Sequence, residues 1–264
     1  VRVDHRNPQR VDAVVLGLRD NFRGELLVDF LKGKCESAQI YWGVNPDADK
    51  DAIQGFTYPR REIYLYSRRL LAGELACSFG HQQIIHEFSS EKTDWLLICE
   101  DNLLLCNLDT VILRLKHTHI HKPSLINFFP NRYNLSLAPF NPSKMRRNFT
   151  IPSHTKCYAI NRSGVASLIA GYKQWTGHGF QADFPPFYFD AINFYFFKDI
   201  RLETDGSSII GNRQNLKQQS SRFTRGMRFC SKLLELITVT ERHVSVRAFF
   251  ALKVGRLLAE KINT

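Results

Sequence analysis

Three observations predict an α/β protein with a central, mostly parallel sheet. Short apolar runs of strand length alternate with helical patterns along the first two hundred residues. The 264 residues are 44% hydrophobic and 23% charged, ordinary globular proportions that allow a sizeable core and exclude a disordered or fibrous chain. Pro and Asn gather in the stretches 45–60 and 130–153, which read as loops between the runs.

The elements follow in order. Residues 12–18 read as a buried strand, 21–33 as a helix and 38–44 as a second strand. Asn45-Pro46 and Pro59 mark 45–60 as a loop. Residues 69–90 form a long helical pattern on which Glu74, Ser78, His81 and Ile85 share one face. Trp95 to Cys99 is a short apolar run that ends at Glu100-Asp101-Asn102. A helix over 107–117 and a strand over 124–129 come next, then a long loop over 130–153, rich in Pro and Asn. A strand at 157–161, a helix at 163–172 and a late strand at 200–204 complete the predicted fold. Ligands of open α/β sheets bind at the carboxyl ends of strands, which draws attention to the acids after residue 99.

The charge is uneven. Lys and Arg number 36 against 25 acids, a net +11. Residues 212–264 hold eleven of the bases and three acids, so +8 of the excess sits there. Phe223, Met227, Cys230, Leu234 and Ile237 recur at helical spacing, with Arg222, Arg225, Arg228 and Lys232 mostly off that face. The division is therefore 1–211 as the folded domain and 212–264 as a basic amphipathic helical extension. Such an extension suits an anionic membrane surface or stays docked with a solvated basic face. No zinc-finger spacing or RNA-recognition signature supports nucleic acid as the partner.

No window reaches the roughly 20 apolar residues of a membrane span, and the first residues lack the apolar stretch of a signal peptide. Six Cys, at 35, 77, 99, 106, 157 and 230, lack Cys-x-x-Cys spacing and read as buried free thiols of a reducing compartment. The expected location is cytoplasmic. His117, His119 and His121 alternate as on a strand face, but a solvated loop is the favoured reading.

Glu100 and Asp101 at a strand exit suit a hard divalent cation, or simply a polar turn with a helix cap. Gly73-Glu74-x-x-Cys77-x-x-x-His81 lies about twenty residues before Trp95-Leu-Leu-Ile-Cys-Glu100-Asp101-Asn102. This arrangement resembles glycosyltransferase family 25, the bacterial lipooligosaccharide galactosyltransferases and their collagen-modifying relatives. The segment Lys156 to Leu168 resembles that family's Ala-Tyr-x-Ile-Ser-Arg strand and helix. Asp183-Phe-Pro-Pro-Phe-Tyr-Phe-Asp190 resembles its Pro- and Asp-containing loop, and Arg19 and Arg23 match its Arg-rich turn. The resemblance spans about 12–205. Asn102 stands where the family has a third acid, and Gly80 where it has Ser.

The resemblance implies a GT-A type nucleotide-sugar-binding fold. It implies an inverting hexosyltransferase taking galactose from UDP-galactose to a sugar of the lipopolysaccharide or lipooligosaccharide core. Asp190, or second Asp183, would be the catalytic base. Glu74, His81, Glu100, Asp101 and Asn102 would line the cofactor site, with Asp101 and Asn102 on Mn²⁺ or Mg²⁺. The enzyme would lie peripherally at the inner face of the inner membrane, held by 212–264. The alternative is a non-catalytic glycan- or phosphate-binding module that keeps the fold.

Overall fold

The computed structural model describes residues 7–19, 21–45, 51, 71–87, 93–129, 145–147, 155–174 and 192–205. All belong to one compact unit, Val1–Tyr58 with Leu70–Asn212. The extension 212–264 and the loop holding Asp183 and Asp190 lie outside the described residues.

The described chain runs β1 (Val11–Gly17), α1 (Arg23–Leu31), β2 (Ser37–Trp42), α2 (Ala72–Glu87), β3 (Trp95–Glu100), α3 (Leu108–Lys116), β4 (Ser124–Asn127), β5 (Met145–Arg147), β6 (Cys157–Asn161), α4 (Arg162–Gln174) and β7 (Asn193–Phe197). Among the described residues the strands form one seven-stranded sheet ordered β2-β1-β3-β6-β4-β7-β5. β1 pairs in parallel with both β2 and β3, and β4 with β7. β6 is antiparallel to β3 and β4, and β5 to β7. The fold is thus α/β with a mixed sheet in which β5 and β6 run against the other strands.

The pleat sorts the side chains. Val11, Ala13 and Val15 of β1 and Trp95, Leu97 and Cys99 of β3 belong to one buried core. Leu27, Val28 and Leu31 of α1 and Leu108, Val111, Ile112 and Leu115 of α3 cover it. The alternate residues face the other way. There Leu16 meets α2 so closely that a Cβ on Gly80 would sit 2.8 Å from its Cδ1. A serine at 80, as in the resembled family, would require Leu16 to move.

Buried polar groups tie the layers together. Asp12 accepts from Ser37 Oγ at 2.6 Å and from Thr93 Oγ1. Asn161, only 4% exposed, ends β6 and caps α4. Its Oδ1 accepts from the N–H groups of Ser124 at 2.8 Å and Gly164 at 2.9 Å. Its Nδ2 donates to the carbonyls of Ile120 and Lys122, each at 2.8 Å.

Two expectations are corrected. The late strand is Asn193–Phe197, not 200–204, where Thr204 makes only an isolated bridge to Leu103. Residues 200–204 alternate like a strand because Ile200 and Leu202 point into the core. Aromatic Phe194, Tyr195, Phe196 and Phe197 form the actual strand. The expected loop 130–153 contains the short edge strand Met145–Arg147, which carries no apolar alternation to mark it. Cysteine burial also differs. Cys99 and Cys157 are buried, Cys35 and Cys77 are partly exposed, and Cys106 is exposed in the turn before α3.

Asn161→Ala should destabilise the fold by on the order of 3 kcal/mol, because it strands several backbone groups in a buried place. Asn161→Asp keeps the acceptor and loses the donor, so its cost should fall between wild type and Ala. Urea unfolding midpoints check both.

Candidate functional site

The site gathers where β1 and β3 end. β1 leads to β2 on one side and β3 leads on toward β4 on the other, so the connections leaving this adjacent strand pair run in opposite directions. A crevice opens at the carboxyl ends of such a strand pair, the usual place for a ligand in an open α/β sheet.

Adjacent acids leave β3 toward different neighbours. Glu100 continues the Leu96, Ile98 alternation and meets α2 and the start of β6. Its Oε1 accepts from Thr155 Oγ1 at 3.0 Å, lies 3.7 Å from His81 Nε2 and 4.0 Å from Cys77 Sγ. Asp101 turns to the α1 side. Its Cβ is 3.7 Å from where a Cβ on Gly17 would stand and 3.8 Å from that of Gly24. A Cβ on Gly24 would also press to 2.5 Å from Ile40 Cδ1, so the first turn of α1 reaches the strand ends because residue 24 is glycine.

On that side Asn21 organises the turn. Its Nδ2 donates to Asp101 Oδ2 at 2.7 Å. Its Oδ1 accepts from the Arg23 N–H at 3.1 Å and from Arg23 Nε at 3.0 Å. Arg23 also pairs with Asp205. The Asp205 N–H donates to the Asn102 carbonyl at 3.1 Å, which ties the tail of the unit to the turn after β3.

The two carboxyls titrate in opposite directions. Burial alone raises the Glu100 pKa, but the attraction of nearby His81, the Thr155 hydroxyl and Lys156 outweighs it and lowers the pKa. Burial raises the Asp101 pKa. Repulsion from Glu100 adds to that, while Arg23, the Leu18 backbone and Asn21 oppose it without prevailing.

The sequence-expected residues divide accordingly. Glu74, Ser78, His81 and Ile85 do form one buried face of α2. Glu74 sits in the first turn and its Oε2 accepts from the Leu71 N–H at 2.9 Å, half of a capping box. His81 and Glu100 come together. Asp101 and Asn102 sit on the turn beyond them, with Asp101 directed to Asn21 and Arg23. Asp183 and Asp190 lie outside the described residues. His117 ends α3, its N–H bonded to the Arg114 and Leu115 carbonyls.

Cys77, Thr155, Tyr158, Asn21 and Arg23 are members that the sequence does not single out as site residues. Cys77 precedes His81 by four residues, one helical turn, which is the signal that marks it. Tyr158 and Thr155 come from β6 and its approach, and no local spacing connects them to α2.

Compared with known proteins, the chain matches no family model and no curated protein. Among the described residues, no helix is long and apolar enough to cross a membrane.

The opposed shifts give mirror-image stability profiles. Ionised Asp101 is disfavoured in the fold, so Asp101→Asn should raise the melting temperature at pH 7. The gain should fade as pH falls through the folded pKa toward its ordinary 3.8. Glu100 is the reverse. Its contribution is full above the ordinary 4.5 and is lost as pH falls through the folded pKa. Glu100→Gln should therefore lower the melting temperature at pH 7, with the difference closing in acid. Thermal melts in EDTA across pH 2–7 check both.

Proposed function

We propose that the chain is an inverting glycosyltransferase of the GT-A type, using UDP-galactose and a sugar of the lipopolysaccharide or lipooligosaccharide core. The observation that carries this reading is the polar cluster at the carboxyl ends of β1 and β3. There Asn21, Arg23 and Asp101 meet at the point where the strand order reverses. The family 25 resemblance of the same segments supports it.

The donor diphosphate lies against this turn. Arg23 supplies positive charge to it from a guanidinium held in place by Asn21. A hard divalent cation needs oxygen ligands and commonly takes one or two carboxylates plus substrate phosphates. Asp101 fits that mode as the single carboxylate, and Asn102 adds a neutral carbonyl oxygen. Glu100 is directed to His81 and Thr155 instead. Asp101 and Asn102 would hold Mn²⁺ or Mg²⁺, which would supply positive charge against that of the diphosphate. The acceptor hydroxyl attacks the anomeric carbon from the face opposite UDP, and Asp190, or Asp183, takes its proton. The basic segment 212–264 holds the enzyme near anionic headgroups, at about 1 kcal/mol per basic residue near the surface.

A second reading has an observation of its own. Asn102 stands in place of an acid and Glu100 faces His81 and Cys77 of α2, which leaves Asp101 as the one carboxylate of the Glu100-Asp101-Asn102 run beside Asn21. A glycan- or phosphate-binding module without turnover would tolerate this arrangement.

UDP release from UDP-galactose, with and without Mn²⁺, separates the two. The transferase reading expects Mn²⁺-dependent release, reduced about 10²–10³-fold by Asp101→Ala and by Arg23→Ala. Asn102→Asp should strengthen the Mn²⁺ response. UDP binding without release in all variants favours the module. Neither binding nor release overturns both.

A further inference from the structure

The cluster on the α2 side has a chemistry of its own. Cys77 Sγ, a ring nitrogen of His81 and a Glu100 carboxylate oxygen all lie within 4.8 Å of one another, the one such trio of His, Cys, Asp or Glu side chains among the described residues. We propose that Cys77, His81 and Glu100 bind a single zinc-class divalent cation, distinct from the hard cation at Asp101. The proposal does not depend on the transferase reading.

Four observations support it. First, the donor set is one sulfur, one imidazole nitrogen and one carboxylate oxygen. A thiolate selects zinc-class ions over magnesium and calcium. Second, the separations are those of a site slightly open before loading. Zinc bonds of about 2.0–2.3 Å in a tetrahedron set ligands roughly 3.3–3.6 Å apart. The 3.7 Å from His81 Nε2 to Glu100 and 4.0 Å from Cys77 Sγ to Glu100 need only a small contraction, and the remaining pair lies within 4.8 Å.

Third, His81 is aimed and held. It is only 3% exposed, and its Nδ1 lies 2.9 Å from Tyr158 Oη. In the metal-bound form the tautomer with Nδ1–H donating to the phenol oxygen would free the Nε2 lone pair for the ion. Among the described residues Nε2 has no hydrogen bond. Thr155 orients Glu100 in the same way, by donating to its Oε1 at 3.0 Å. Such outer partners are what metal-binding histidines and carboxylates require.

Fourth, the charge closes. Binding converts the Cys77 thiol to a thiolate and releases one proton to solvent. Thiolate and carboxylate then cancel the cation's charge, and neutral imidazole completes three ligands. A neutral complex suits so enclosed a place. Three protein ligands leave a fourth position for water or substrate, the pattern of catalytic rather than structural zinc sites.

The test uses the full chain, stripped with chelator and then titrated with Co²⁺ alone and Zn²⁺ alone. The expected result is one equivalent bound, one proton released, and a near-ultraviolet thiolate-to-cobalt absorption band. Cys77→Ser should abolish the band, and Cys106→Ser, at an exposed thiol, should leave it intact. Tyr158→Phe removes the outer partner of His81 and should weaken Zn²⁺ binding about 10–100-fold. Absence of a band and of stoichiometric zinc in the wild type overturns the proposal. So does a band that survives Cys77→Ser. UDP-galactose turnover measured on the stripped chain with Mn²⁺ reports on the transferase reading separately.

Discussion

The alternation of β3 governs both sides of the site. Trp95, Leu97 and Cys99 fill the core beneath α1 and α3. The residues between them must then face α2, because consecutive side chains of a strand leave on opposite sides. Glu100 inherits that direction and is drawn among Cys77, His81 and Thr155. Asp101, one residue beyond the strand, lies beside Gly17 and Gly24 on the α1 side. A shift of one residue in the pairing of β1 with β3 would exchange the two carboxyls and dismantle both environments. The register of Val11 with Trp95 through Leu16 with Glu100 is therefore a constraint on chemistry as much as on packing.

Two kinds of ligand environment result, from neighbouring residues of one strand exit. On the α1 side the groups are hard: a carboxylate, amide oxygens and a guanidinium. On the α2 side they are mixed, with sulfur, imidazole and carboxylate. The opposed titrations of Glu100 and Asp101 follow from this division. Glu100 has His81 and Thr155 to stabilise its charge, whereas burial and the repulsion of Glu100 outweigh the support Asp101 receives.

Much of this fold was legible because its central strands are buried on both faces and stand out as apolar runs. Val11 to Gly17, Trp95 to Glu100 and Cys157 to Asn161 were recoverable from composition alone. β5 was not, since Met145–Arg147 is short, basic and at an edge. The late strand was misplaced because Leu202 and Ile200 are buried without forming a ladder. At the site, the shared face of Glu74 and His81 came from helical geometry. The partnership of His81 with Tyr158 spans 77 residues and two layers, so no local pattern encodes it. The separate directions of Glu100 and Asp101 were implicit in strand alternation, but adjacency in sequence suggested a shared ion.

The antiparallel placement of β6 between β3 and β4 has a consequence for biosynthesis. β1, β2 and β3 can pair once residue 100 has been synthesised, yet the far edge of β3 is completed only by residues 157–161. During the intervening synthesis the apolar segment Trp95–Ile98 presents unpaired backbone groups along an open edge. Its neighbour arrives late, and antiparallel to it, so the pairing has a large loop to close. The nascent chain is accordingly most exposed to wrong pairing in this interval, and β6 is the element that ends it.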